Sequence, residues 1–119
     1  LDSKDNIINI GQKVKKLEEI QGQYIGLMKF SNKAVNILKD FYHECKKISG
    51  KKSNPLNANL PFEKSFMTDL LQGLINSNYQ LRSVPIHGGW LELDTISDFE
   101  IYQRMFKNNI IQKFIKLEN

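Results

Sequence analysis

The chain has 119 residues, of which 40% are hydrophobic and 25% charged, a composition typical of one soluble globular domain or of part of one. Its formal net charge of +4 reflects 17 lysines and arginines against 13 acidic residues, too mild an excess to predict nucleic-acid binding without a binding motif. No apolar run approaches the ~20 residues that span a bilayer, and the polar opening residues do not resemble a signal peptide. We therefore expect neither a membrane nor a nucleic acid among its partners.

Two further features of the sequence predict the cellular compartment and a longer parent protein. Cys45 is the single cysteine and cannot form an internal disulfide, which fits a reducing compartment and predicts a cytoplasmic protein. The sequence begins at Leu1 rather than at a methionine. We therefore expect a piece of a longer protein.

Strands are predicted in the first thirty residues. Residues 6–10 carry β-branched isoleucines, Gly11 marks a turn, and the alternation over residues 13–17 predicts the second arm of a hairpin. The apolar spacing of that second arm fits a helix as well. Residues 22–30 have apolar side chains on both faces, which predicts a central strand covered on both sides.

Two amphipathic helices and a loop are predicted next. Apolar residues at three- and four-residue steps indicate a first helix, capped by Ser31 or Asn32 and ended by Gly50. This spacing places Cys45 on the buried side of the helix, where a core thiol is favoured over a nucleophile. Residues 50–61 are polar with prolines near both ends and predict a loop, and residues 62–76 predict a second helix.

The last third of the chain is predicted to contain two strands and two helices. We expect residues 79–87 to form a strand and Gly88 and Gly89 to form a turn, and residues 90–94 alternate as a second strand would. Ser97 and Glu100 have the spacing of a capping box and predict a helix over 98–106. A break at Asn108-Asn109 then precedes a short helix over 110–117.

The strand over 90–94 carries the strongest chemical signal in the sequence. Leu91 and Leu93 point to one face, while Trp90, Glu92 and Asp94 point to the other. Two carboxylates about 7 Å apart suit Mg²⁺, although acidic residues at strand ends more often cap a helix or face solvent. No serine triad, zinc-ligand spacing or glycine-rich phosphate loop accompanies them. The residues alone therefore predict part of a site, without a complete catalytic apparatus.

Two stretches resemble one enzyme family. GQYIGLMKFS (residues 22–31) is similar to the GEYIGLxKFS segment of the sugar-nucleotide and phosphocholine type nucleotidyltransferases, which include cytidylyltransferases. HGGWLELDTISDFE (residues 87–100) is similar to their GxWxEIDTxxDL segment. The likeness extends over residues 6–106 in the same order of elements. It implies an α/β fold, a partial Rossmann-like nucleotidyltransferase fold with a mixed sheet and flanking helices.

The resemblance also implies an activity and a set of site residues. Members of this family transfer a nucleotidyl group from an NTP to a phosphorylated alcohol or sugar, with Mg²⁺ held by two aspartates. One of these corresponds to Asp94, while the second aspartate and the glycine-rich triphosphate loop have no counterpart here. Residues 1–119 are thus expected to be the carboxy-terminal, acceptor-side part of the domain, inactive alone.

Three further residues are expected on the acceptor side of the site. Trp90 and Glu92 share a face with Asp94. Glu92 is expected to orient the acceptor or a metal-bound water, and Trp90 is expected to pack against the acceptor, with core packing as the alternative. Gln23 stands where the family usually has glutamate, so acceptor recognition is expected to be weaker or changed.

The alternative from a different class is a non-catalytic interaction or oligomerisation module. The apolar residues of the last predicted helix favour it, because they would form an exposed face. They are Ile110, Ile111, Phe114 and Ile115.

Overall fold

The structure is a computed structural model that describes residues 1–115, and regular structure within these residues is helical. Three α-helices form: α1 (Asn32–Ser49), α2 (Met67–Asn76) and α3 (Ile96–Lys107). Single 3₁₀ turns lie at Leu17–Glu19, Phe62–Lys64 and Ile111–Lys113. Among the described residues, no helix is long and apolar enough to cross a membrane.

The predicted α/β fold with a mixed Rossmann-like sheet is wrong for this structure. Residues 1–115 contain no strand, and the β-type pairing found there is an isolated antiparallel bridge between Asn6 and Arg82. Except at that bridge, the segments predicted as strands have no partner segment within residues 1–115 to pair their N–H and C=O groups in a ladder. Alternation sets the direction of side chains without supplying such a partner, which is why it predicted strands where none form.

The exposure of apolar side chains agrees with the absence of the first predicted strands. Leu27 is 84% exposed, so residues 22–30 are not covered on both faces. The predicted return arm over 13–17 runs instead into the 3₁₀ turn that starts at Leu17, which is itself 80% exposed. An extended segment that buries so little apolar surface has no packing force to hold it in a sheet.

The chain divides into two compact units, Leu1–Val84 and Pro85–Asn119. The core of the first unit lies where α1 and α2 pack. Its buried apolar residues are Ile10, Cys45, Phe62, Leu70, Leu71 and Leu74. Cys45 is buried as predicted, and burial, assisted by nearby Glu44, raises the pKa of its thiol and so disfavours the reactive thiolate.

The prediction of α1 is confirmed at both ends. The Ser31 hydroxyl accepts a hydrogen bond from the N–H of Ala34, and Gly50 is the C-cap residue. Lys46 and Lys47 lie in the last turn, where positive charge interacts favourably with the free carbonyls. These local signals suffice because an 18-residue helix can satisfy most of its backbone internally.

The helix predicted over 62–76 begins later than expected. Phe62–Lys64 is a 3₁₀ turn, and α2 starts at Met67. The Asp69 carboxylate accepts a 2.8 Å hydrogen bond from the N–H of Phe66 and closes the first turn at that point. Phe66 is 66% exposed at this N-cap position.

The second unit is built around α3. Asn108 and Asn109 end this helix as predicted, and Asn109 has a left-handed backbone with φ of 55°. The short helix predicted over 110–117 is replaced by the 3₁₀ turn Ile111–Lys113, and residues 116 and 117 lie outside the described part. Ile111 is buried and Ile115 half-buried, so the exposed face predicted for that helix is only partly present.

Candidate functional site

The segment over residues 87–98 begins with the predicted glycine turn, which the structure confirms. Gly88 and Gly89 have φ values of 71° and 83°, which glycine adopts without strain. The N–H of Gly89 donates a 2.8 Å hydrogen bond to the carbonyl of Phe114. A Cβ at Gly88 would lie 3.3 Å from that same carbonyl oxygen. The turn is thereby attached to the end of the described chain.

Residues 90–94 continue from the turn as an extended segment without strand pairing. Trp90, Leu91 and Glu92 are half-buried, and Asp94 is exposed. Leu93 is 61% exposed, so the two leucines that alternation placed on one face do not form a buried face. The Tyr102 hydroxyl donates a 2.7 Å hydrogen bond to the carbonyl of Glu92, which connects the segment to α3.

The capping box of α3 uses different residues from those predicted. Thr95 is the N-cap, and its hydroxyl accepts a 3.2 Å hydrogen bond from the N–H of Asp98. Asp98 Oδ2 in turn accepts bonds of 2.8 Å from both the N–H and the hydroxyl of Thr95. The prediction of Ser97 with Glu100 is wrong because the helix begins two residues earlier than predicted, at Ile96.

The cap stabilises the ionised form of Asp98. Hydrogen bonds from the side chain and then from the backbone of Thr95 hold the pKa of Asp98 below its ordinary value of 3.8. The carboxylate at this position is therefore ionised at neutral pH, next to the positive end of the helix dipole. Its Oδ2 atom is engaged in the cap.

Asp94 differs from Asp98 in the availability of its carboxylate. Its backbone N–H donates a 3.2 Å hydrogen bond to Asp98 Oδ2, while its exposed carboxylate makes no hydrogen bond within residues 1–115. An exposed carboxylate with free oxygen atoms is a suitable ligand for a hard cation. The described residues contain no group of three or more metal-ligating side chains, so Asp94 would be one ligand of a site completed from elsewhere.

Three of the four predicted site residues are neighbours along the chain. Trp90, Glu92 and Asp94 lie within one segment of the second unit. Gln23 is exposed in an extended part of the first unit. Whether all four form a single site stays a prediction.

Sequence reasoning missed Asp98 and Tyr102 as residues that support this segment. The Thr95-x-x-Asp98 spacing was a readable signal, because threonine followed three residues later by an acidic residue is typical of a capping box. The bond from Tyr102 to the carbonyl of Glu92 had no such signal, since it depends on the path of the extended segment across α3.

Comparison with known proteins finds one curated relative with clear similarity. CTP:phosphoglutamine cytidylyltransferase of Campylobacter jejuni subsp. jejuni is 37% identical over 95 residues, which is 80% of this chain and 35% of the relative. The chain is related to a cytidylyltransferase-type nucleotidyltransferase. It spans about a third of the length of that relative. No model of a known protein family and no solved structure matches the chain.

The relationship covers the candidate segment. Any continuous 95-residue match within 119 residues includes residues 25–95 wherever it begins. Trp90, Glu92 and Asp94 therefore fall within the matched part. The relationship predicted from residues 22–31 and 87–100 is confirmed by a comparison that uses the chain as a whole.

Proposed function

We propose that this chain is the acceptor- and metal-binding part of a Mg²⁺-dependent cytidylyltransferase and is inactive without the CTP-binding part. In this reaction an oxygen of a phosphorylated acceptor attacks the α-phosphorus of CTP, and pyrophosphate leaves. The observation that carries the proposal is the 37% identity to a cytidylyltransferase over 80% of the chain. The acceptor is a phosphorylated small molecule, and the phosphoglutamine in the name of the relative makes that compound the first to test.

The carboxylate of Asp94 is exposed and makes no hydrogen bond within residues 1–115, which supports its assignment as a ligand of Mg²⁺. Magnesium is commonly bound through one or two carboxylates together with phosphate oxygens and water, so a single aspartate from this chain fits that chemistry. When bound, the ion would neutralise charge on the transferring phosphates. The carboxylate of Asp94 would hold the ion against the acceptor side, while Asp98 remains engaged in the helix cap.

Trp90 and Glu92 are proposed to face the acceptor beside Asp94. The half-buried indole of Trp90 offers a flat apolar surface against which an acceptor would pack or stack. Glu92 supplies a carboxylate that would orient a hydroxyl or amine of the acceptor. Positioning of this kind is the main contribution of protein groups to phosphoryl-type transfer, because the reaction needs little covalent chemistry from the protein. A cytoplasmic location stays a prediction from the single cysteine.

The direct test is pyrophosphate release by the longest natural protein that contains this chain. CTP and the other NTPs are each combined with phosphoglutamine, phosphocholine or sugar phosphates in the presence of MgCl₂. We expect turnover with CTP and one acceptor, and a loss of at least about 100-fold in Asp94→Asn. Asp40→Asn, an exposed aspartate on α1, is the matched control. Undiminished turnover in Asp94→Asn would rule out the metal role of this residue.

A further inference from the structure

Two side chains of α3 hold the backbone on either side of Leu93 and thereby define the position of Asp94. The Tyr102 hydroxyl donates a 2.7 Å hydrogen bond to the carbonyl of Glu92. Two residues later along the chain, the N–H of Asp94 donates a 3.2 Å hydrogen bond to Asp98 Oδ2. The three residues from 92 to 94 cannot shift along α3 without breaking one of these bonds.

The Tyr102 hydroxyl and the Asp98 carboxylate are polar groups that packing or helix capping alone would not require. A phenylalanine would fill the half-buried volume of Tyr102, so its hydroxyl serves the bond to the carbonyl of Glu92. Asparagine would still cap a helix, but an ionised carboxylate at Asp98 accepts stronger hydrogen bonds. Asp98 Oδ2 accepts hydrogen bonds from Thr95 as well as from Asp94. These bonds connect the backbone at Asp94 to the first turn of α3.

From this geometry we infer that Tyr102 and Asp98 are positioning residues for the Asp94 carboxylate, an inference that rests on the proposed function. Neither side chain is assigned a contact with substrate. Each restricts the backbone that carries the ligand. Ligands of a metal must be held within about 0.5 Å of the productive geometry, and loss of a supporting partner typically lowers metal affinity about 10- to 100-fold.

The test separates metal affinity from folding. In the longest natural protein that contains this chain, the rate of CTP-dependent pyrophosphate release is measured against MgCl₂ concentration for Tyr102→Phe and Asp98→Asn. We expect the Mg²⁺ concentration for half-maximal rate to rise about 10-fold in each variant, with the rate restored at high Mg²⁺. The Kd of Mn²⁺ in the presence of CTP, measured by electron paramagnetic resonance, should rise by a similar factor without any need for turnover.

Two controls make the outcomes distinct. Tyr79→Phe removes a tyrosine hydroxyl that makes no hydrogen bond within residues 1–115, and it should leave the Mg²⁺ dependence unchanged. Melting temperatures of all variants show whether each is folded at the assay temperature.

A fall in maximal rate or melting temperature for Tyr102→Phe without a change in Mg²⁺ or Mn²⁺ affinity would assign the residue a structural role only. That result, with Asp94→Asn still inactive, would overturn the inference and leave the proposed function standing. A fully active Asp94→Asn would overturn the inference together with the metal role of Asp94, whereas an absence of CTP-dependent turnover in the unmodified protein would overturn the proposed function.

Discussion

Gln72 Oε1 accepts a 2.8 Å hydrogen bond from the backbone N–H of Ile10, a residue 62 positions earlier in the chain. The Nε2 of the same amide donates to the carbonyl of Ile8 at 3.2 Å. One side chain of α2 thus satisfies a donor and an acceptor of the extended amino-terminal segment, as a neighbouring strand would. This pairing brings Ile10 into the core of the first unit, where it is 9% exposed.

Gln72→Ala is therefore expected to release the segment around Ile10. The loss of two hydrogen bonds to a partly buried backbone should lower the free energy of unfolding by about 1–3 kcal/mol. Chemical denaturation measures that loss, and amide exchange at Ile10 reports the local opening. Gln103→Ala, at an exposed position of α3, should change stability by less than about 0.5 kcal/mol. Equal effects of the two substitutions would refute the role assigned to Gln72.

The cap of α3 should weaken in acid. Because the pKa of Asp98 is lowered below 3.8 in the folded protein, its carboxylate stabilises the folded state above that pH. This contribution is lost as pH falls through the lower folded pKa. The protection of the Thr95 and Asp98 amides, taken from exchange rates corrected for the intrinsic pH dependence of exchange, should fall in that acidic range and stay constant near neutral pH. In Asp98→Asn the acid dependence at these amides should disappear, whereas Asp40→Asn should retain it.

Gly73 allows close packing between α2 and its neighbours. A Cβ at this position would lie 2.9 Å from Leu56 Cδ2 and 3.1 Å from Phe41 Cε1. Gly73→Ala gains up to about 1 kcal/mol of helix propensity but forces both side chains to move, at a cost of about 1–3 kcal/mol. We expect a net loss of about 1 kcal/mol in chemical denaturation. Gly22→Ala, where a Cβ has no neighbour within 4 Å, should be nearly neutral. A stabilised Gly73→Ala would contradict this packing.

Gln23 tests the acceptor side of the proposed site. If residue 23 contacts a hydroxyl or amine of the acceptor, the carboxylate of Gln23→Glu should accept a stronger, charge-assisted hydrogen bond. We expect the KM for the acceptor to fall about 5- to 10-fold, equivalent to about 1 kcal/mol, while the KM for CTP is unchanged. Gln80→Glu introduces the same charge at another exposed position of the first unit. Matching changes in both variants would indicate a general charge effect and exclude a specific contact.

The elements that were predicted correctly are those determined by neighbouring residues. Helix α1 has its cap at Ser31, its apolar spacing and its end at Gly50 within one continuous stretch. The Gly88-Gly89 turn and the end of α3 at Asn108 are local in the same sense. For the candidate site, residues 22–31 and 87–100 predicted a relationship to a cytidylyltransferase, which the comparison with the Campylobacter protein confirms. The assignment of Asp94 as a metal ligand stays a prediction.

The strands failed because pairing is a property of two segments. Residues 22–30 and 90–94 alternate as strands do, yet neither has a strand partner within residues 1–115, and Leu27 and Leu93 remain exposed. The bond from Tyr102 to Glu92 and the two bonds from Gln72 likewise depend on where the chain returns in space.

The sequence by itself therefore determined helix α1, the glycine turn, the end of α3 and the relationship to a cytidylyltransferase. Only the tertiary structure decided which polar groups hold the extended segments, because hydrogen bonds between distant residues depend on the path of the backbone.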